Sequence, residues 1–213
     1  MRNLTLLYAL SFFLFVAVRV SAVTVDRVAA VVDRQVMTVS EITQMVEVRF
    51  FPRLGENEDE HRREVLEALI TQMLRHRDVE RFGARDIPAD TIEARLLEIR
   101  SRFDSEEAFL TALERAELTM DDLRVLIRRQ LQVEAYIEER FAPRVIVTPD
   151  DIAEYYRGPW TAQRRERGLP IRPLADVQDE VRSAVRAARL QDEIGRWTAL
   201  LRARASVDVY AWR

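Results

Sequence analysis

Residues 23–40 read VTVDRVAAVVDRQVMTVS, and this stretch decides the fold. Val25 to Val32 and Val36 to Val39 are runs rich in β-branched residues on either side of a polar Asp33-Arg34-Gln35, the pattern of two short strands joined by a tight turn. Thr38 or Ser40 then offers a side-chain oxygen to cap a helix, on which Ile42, Met45, Val46 and Phe50 fall at i, i+3, i+4 and i+8 until Pro52 stops it. Phe51 would lie on the opposite side of that helix from Ile42. At the other end of the chain, Ala205-Ser206-Val207-Asp208-Val209-Tyr210 alternates as a strand does. A lone strand leaves its backbone groups unpaired, and the only candidate partners are the strands of the hairpin. Both termini are therefore expected in one small sheet.

Everything between reads as helix. Leu66, Leu69, Ile70, Met73 and Leu74 form one stripe of a long helix ending near Gly83. Pro88 precedes a helix over Ile92 to Ile99, and Asp104-Ser105-Glu106-Glu107 precedes one over Phe109 to Leu113. Thr119-Met120-Asp121-Asp122 opens a longer one that puts Leu123, Leu126, Ile127, Gln130, Leu131 and Ile137 on one face. Thr148-Pro149-Asp150-Asp151 is another cap, and Leu174 to about Arg204 is one amphipathic helix. Residues 157–173, RGPWTAQRRERGLPIRP, hold three of the seven prolines and five arginines against one glutamate, and read as a linker or ordered loop. The fold class is mainly α, with a small sheet formed by the N-terminal hairpin and the C-terminal strand.

Composition removes most chemistries. With no cysteine among 213 residues there is no disulfide, no thiol nucleophile and no Cys-ligated metal. All 33 basic residues are arginine, so a P-loop and a Schiff base are excluded, and the five glycines never fall into a nucleotide-cradling pattern. His61 and His76 are too far apart for an i, i+4 ligand pair and read as surface histidines. No cofactor, nucleotide or metal is expected. Arg2, the uncharged run over residues 3–18 and the small residues Val20-Ser21-Ala22 read as a secretory signal over 1–22, with an uncleaved signal anchor as the alternative. Export and a net charge of −3 argue against nucleic acid as a partner.

VDRVAAVVDRQVMTVSEI, and after it REVLEALITQMLRHRDVERFG, DIPADTIEARLLEIRSRF, EEAFLTALERAEL, TMDDLRVLIRRQLQVEAYIEERF and VIVTPDDIAEYY, resemble in order the chaperone core of the SurA family of periplasmic chaperones. The C-terminal helix and strand resemble that family's last segment, which folds back onto the N-terminal domain. The resemblance implies a core over 23–156, completed by 174–213. It also implies that 157–173 occupies the place where relatives insert parvulin-type prolyl isomerase modules of roughly a hundred residues, which a segment of this length cannot hold. The implied activity is ATP-independent holding of unfolded outer-membrane or other exported proteins in the periplasm, without enzymatic turnover. Phe51, Tyr155, Tyr156 and Trp160 are the candidate client-binding residues, with core or cap packing as the other reading of each. Gln130 is either a buried packing contact or a group that binds a client backbone. Two further classes stay open: a degenerate prolyl isomerase with residual activity, and an assembly subunit that binds one folded partner.

Overall fold

The first and last strands of the described residues meet in one sheet, because the last strand has no partner of its own. In the computed structural model, which describes residues 26–53 and 55–210, β1 (Val28–Val32) and β2 (Gln35–Thr38) form a hairpin. β3 (Val207–Val209) pairs antiparallel with β1, giving the order β2-β1-β3. The signal reading of residues 1–22 lies outside the described residues. Asp33 adopts the left-handed φ of 55° at the hairpin turn, a region that aspartate tolerates better than most residues. Its carboxylate accepts from the Ser206 amide at 2.9 Å and from Arg77 Nη1 at 2.7 Å, while its own N–H donates to the Ser206 carbonyl at 2.7 Å. One turn residue thereby ties together the hairpin, the C-terminal strand and the helix that carries Arg77. Because these bonds go to the ionised form, the Ser206 amide first and Arg77 next, they hold the Asp33 carboxyl below its ordinary value.

The helices begin where their caps are. α1 (Val39–Glu47) starts at Thr38, which exchanges a capping box with Glu41. α2 (Glu58–Phe82) is capped by Asn57, α4 (Glu106–Arg115) by Ser105, α5 (Met120–Arg140) by Thr119 with Asp122, and α6 (Pro149–Tyr155) by Thr148 with Asp151. Such caps contribute about 1 kcal/mol each by satisfying amides that have no partner inside the helix. α3 (Ala89–Arg100) follows Pro88. α1 ends earlier than its apolar spacing predicts. Arg49 takes a φ of 49°, its N–H donates to the Val46 carbonyl at 3.0 Å, and the Phe50 N–H donates to the Met45 carbonyl at 2.9 Å. This closes the helix in a Schellman motif with arginine where glycine is usual, so Phe50 and Phe51 leave the helix before Pro52 is reached.

The main core gathers β1, α1, α2, α3, α4 and α5 around Ile42, Leu66, Ile70, Leu96, Phe109 and Ile127, all of them buried. His61 belongs to its wall. At 6% exposure it is not the surface histidine expected. His76 is likewise half-buried, its Nε2 lying 3.1 Å from the Gln132 side chain on α5. Gln130 donates to Glu134 at 3.0 Å, and Glu134 also receives both Nη groups of Arg95 at 2.9 Å, so Gln130 is a partnered packing residue.

Residues 157–173 are not an irregular linker throughout. Tyr156–Trp160 continue α6 as one widened π turn, and α7 (Thr161–Glu166) follows directly. Pro159 explains the widening: it lacks an N–H and its ring would clash in a regular turn, while an i→i+5 turn makes room for it. The Thr161 hydroxyl donates to the Tyr156 carbonyl at 2.5 Å within this turn. Only 167–173 runs irregularly before α8 (Leu174–Arg204). Trp160, at 4% exposure, packs with Ile152, Val177, Val181 and Val185 into a second, smaller core. α8 therefore serves two cores, its first half covering α6 and the π turn and its second half lying along α2. Its Leu201, with Val207 and Val209 of β3, packs on the main core.

Candidate functional site

A concavity of about 1050 Å³ opens between the C-terminal end of α1, residues 49–53, the first turn of α2 and α4. Its apolar surface comes from two segments that helix ends push out of line. The Schellman closure of α1 sends Phe50 into the core and leaves Phe51 half-buried at the groove, the two rings meeting edge to face at 5.2 Å. From the α3–α4 connection, Phe103 approaches the same groove and rests edge-on against Phe109 at 5.5 Å.

Two arginines join these segments. Arg102 Nη1 donates to the carbonyls of Arg49 and Phe50, at 2.5 and 2.8 Å. Arg49 Nη1 donates back to the Arg102 carbonyl, and its guanidinium lies 4.5 Å from the Phe103 ring centroid. The exchange offsets the left-handed strain at Arg49 and fixes the distance between Phe51 and Phe103. Burial comes first in lowering the Arg102 guanidinium from its ordinary value, and the like charge of Arg95 adds to it. Around the rim, Arg53 and Arg115 alternate with Glu47, Glu58 and Glu107. Ser105 lines the groove as well, but its hydroxyl is spent accepting from the Ala108 amide as an N-cap, 3.1 Å away. What this arrangement can do chemically is bind: a shallow aromatic floor, guanidinium donors, and a mixed-charge rim that holds water at the edge.

No protein-family model matches this chain, and no curated protein matches it. Among the described residues, no group of three or more His, Asp or Glu side chains is placed to hold a metal ion, and no helix is long and apolar enough to cross a membrane.

The four residues expected to contact a ligand fall in two places. Phe51 lies at the groove; Tyr155, Tyr156 and Trp160 belong to the second core. Trp160 packs, the other reading given for it, since its ring is covered. Its Nε1 donates to Glu180 at 3.2 Å, Tyr156 stacks on it at 5.1 Å, and the Arg164 guanidinium sits 4.7 Å from its centroid. The Tyr156 hydroxyl donates to the Arg172 carbonyl at 2.7 Å, which ties down the irregular segment before α8. Tyr155 borders a shallow cleft of about 250 Å³ beside Pro159 and Val185. Sequence reading missed Arg49, Arg102 and Phe103. The available signal was Arg102-Phe103, an aromatic placed in the connection between two helices where no helical face could bury it.

Proposed function

We propose that this protein is an ATP-independent holdase of the SurA-like kind, binding unfolded exported polypeptides, outer-membrane proteins foremost, in the periplasm. The groove carrying Phe51 and Phe103 supports this reading most directly, because an aromatic floor under a charged rim accepts many apolar side chains while keeping the complex in solution. Arg49 and Arg102 are largely committed to backbone carbonyls and to the Phe103 ring, so their role is to hold the floor open. Glu47, Glu58 and Glu107, interleaved with Arg53 and Arg115, keep the rim near neutrality, which suits clients of either charge.

The test is suppression of aggregation. A denatured outer-membrane β-barrel protein is diluted into buffer with the purified chain at equimolar concentration, and light scattering is followed. Suppression that falls at least several-fold in Phe51→Ser and Phe103→Ser, each with an unchanged far-UV circular dichroism spectrum, is the expected result. Equal scattering with and without the protein sinks the reading. A single folded protein co-purifying in stoichiometric amount, with no suppression, would favour the assembly-subunit reading instead.

A further inference from the structure

A second concavity lies at the other end of α2, where the C-terminal ends of α2 and α5 meet the second half of α8. Phe82, the last residue of α2, is 62% exposed, and its ring stacks on Tyr136 of α5 at 6.2 Å. Tyr136 in turn contacts Trp197 of α8 at 5.6 Å, whose Nε1 donates to Asp78 at 3.0 Å and so fixes the indole. These rings separate two adjoining lobes of about 400 and 490 Å³, the first extended by the exposed Leu200.

The charges around these lobes are unbalanced. Arg140 and Arg144 border both, and Arg196 and Arg204 border the first. Of these four only Arg196 has a carboxylate partner among the described residues, Glu193 at 2.5 Å. Asp78 is occupied by the Trp197 indole, and Glu139 at the far rim faces Arg85 at 3.9 Å. Arg140 instead lies over aromatic rings, 5.3 Å from the Phe82 centroid and 5.7 Å from that of Tyr136. Elsewhere on these helices some arginines are paired, Arg124 with Glu93 and Arg202 with Glu67, and others, such as Arg128 and Arg129, have no carboxylate partner among the described residues, so what sets this site apart is that Arg140, Arg144 and Arg204 gather around one apolar wall. The Tyr136 hydroxyl also has no hydrogen-bond partner among the described residues.

The geometry points to a docking site for a polypeptide segment that carries an aromatic side chain flanked by carboxylates. The aromatic side chain enters beside Phe82, Tyr136 and Leu200, and the carboxylates meet Arg140 and Arg144, with Arg204 at the far end. Three arginines without carboxylate partners among the described residues, around one apolar wall, are complementary to an anionic and apolar ligand, not to a purely apolar one. A single-stranded nucleic acid would share the charge complementarity. It needs a row of open ring faces for successive bases, and here only Phe82 is exposed while Tyr136 and Trp197 are half-buried against each other. The site is separate from the groove at Phe51 and does not depend on its reading.

Fluorescence anisotropy tests it with the full chain and three labelled peptides, GSEFEGS, GSQFQGS and GSEAEGS. At 50 mM salt, GSEFEGS is expected to bind at least tenfold more tightly than either control, and the advantage over GSQFQGS should shrink as salt is raised to 0.5 M. The double variant Arg140→Gln/Arg144→Gln should erase the difference between GSEFEGS and GSQFQGS, and Phe82→Ser should lower binding of both aromatic peptides. All three side chains are exposed, so folding is expected to survive, and circular dichroism checks it. Equal affinity for the three peptides, or an unchanged affinity in both variants, overturns the proposal. So does displacement of bound GSEFEGS by a thymidine oligonucleotide, or by anionic phospholipid vesicles, at lower concentration than by unlabelled peptide. Peptide binding is read without aggregation suppression, so failure of the holdase test leaves this one standing, and the reverse.

Discussion

Replacing Trp160 by alanine should separate the two cores. An indole buries about 150–250 Å², which at about 25 cal/mol per Å² corresponds to roughly 4–6 kcal/mol of transfer free energy, and Trp→Ala changes in cores cost about 3–5 kcal/mol. Trp160 is 4% exposed and is the largest side chain in a cluster that otherwise holds Ile152 and three valines of α8. That small cluster cannot absorb a loss of this size by relaxing around the gap. The expected result is local: α6, the π turn, α7 and the first half of α8 open together, while the main core, which shares no residue with them, keeps its protection. Hydrogen exchange followed by mass spectrometry should show faster exchange over about residues 149–190 and little change over α2 to α5 in Trp160→Ala. Trp160→Phe keeps a ring against Tyr156 but loses the bond to Glu180 and part of the buried ring volume, so a smaller cost than for alanine, about 1–3 kcal/mol, is expected. Unchanged exchange over α6 and α7 in Trp160→Ala would refute the second core as a unit built on this residue. The same reasoning applies to a Gly/Ser replacement of residues 157–173: as a pure linker that change would cost little, since loop closure varies slowly with length, but it also removes Trp160.

Deleting residues 205–213 removes β3 and its bonds to Asp33, exposing one edge of β1; a lower melting temperature is expected, and an unchanged melt would count against the shared sheet. Asp33, Asp122 and Asp151 all have carboxyls held below their ordinary value, by the Ser206 amide, the Thr119 hydroxyl and the Thr148 amide respectively as the leading cause. Depressed folded-state values stabilise the fold when the carboxylates are ionised, so this contribution is complete at neutral pH and is lost as pH falls below about 3.8; urea midpoints measured from pH 6 to pH 2.5 should drop in that window, and less in Asp33→Asn. Arg102→Met should lower stability by roughly 1–3 kcal/mol, because the Arg49 and Phe50 carbonyls lose a charged donor, and should weaken aggregation suppression along with it. On a short proline-containing peptide the purified protein should give no isomerisation above the buffer rate; catalysis that survives His61→Ala and His76→Ala would place an active site outside both histidines.

The features legible in the sequence are those that a residue and its near neighbours settle by themselves. Thr38, Ser105, Thr119 and Thr148 each cap a helix three residues ahead of the amide they bind, and the apolar spacing of α8 runs from Leu174 to Arg204 as its pattern says. The pairing of the terminal strands was also inferable, since unpaired backbone groups allowed no other partner. The positions that could not be read depend on contacts between distant segments. Arg49 in a left-handed conformation ends α1 before Pro52, and what stabilises it is Arg102, more than fifty positions away. Trp160 looked like part of a linker because Gly158 and Pro159 flank it; a π turn absorbed the proline, and the valines of α8 buried the indole. His61 carries no local sign of burial, and only the packed structure shows that it is covered. Both concavities have the same origin: Phe51 with Phe103, and Phe82 with Tyr136 and Trp197, become neighbours only when the helices pack. Local hydrogen bonding decides where an element starts, while which apolar side chains end up covered is decided by segments that the chain brings together from far apart.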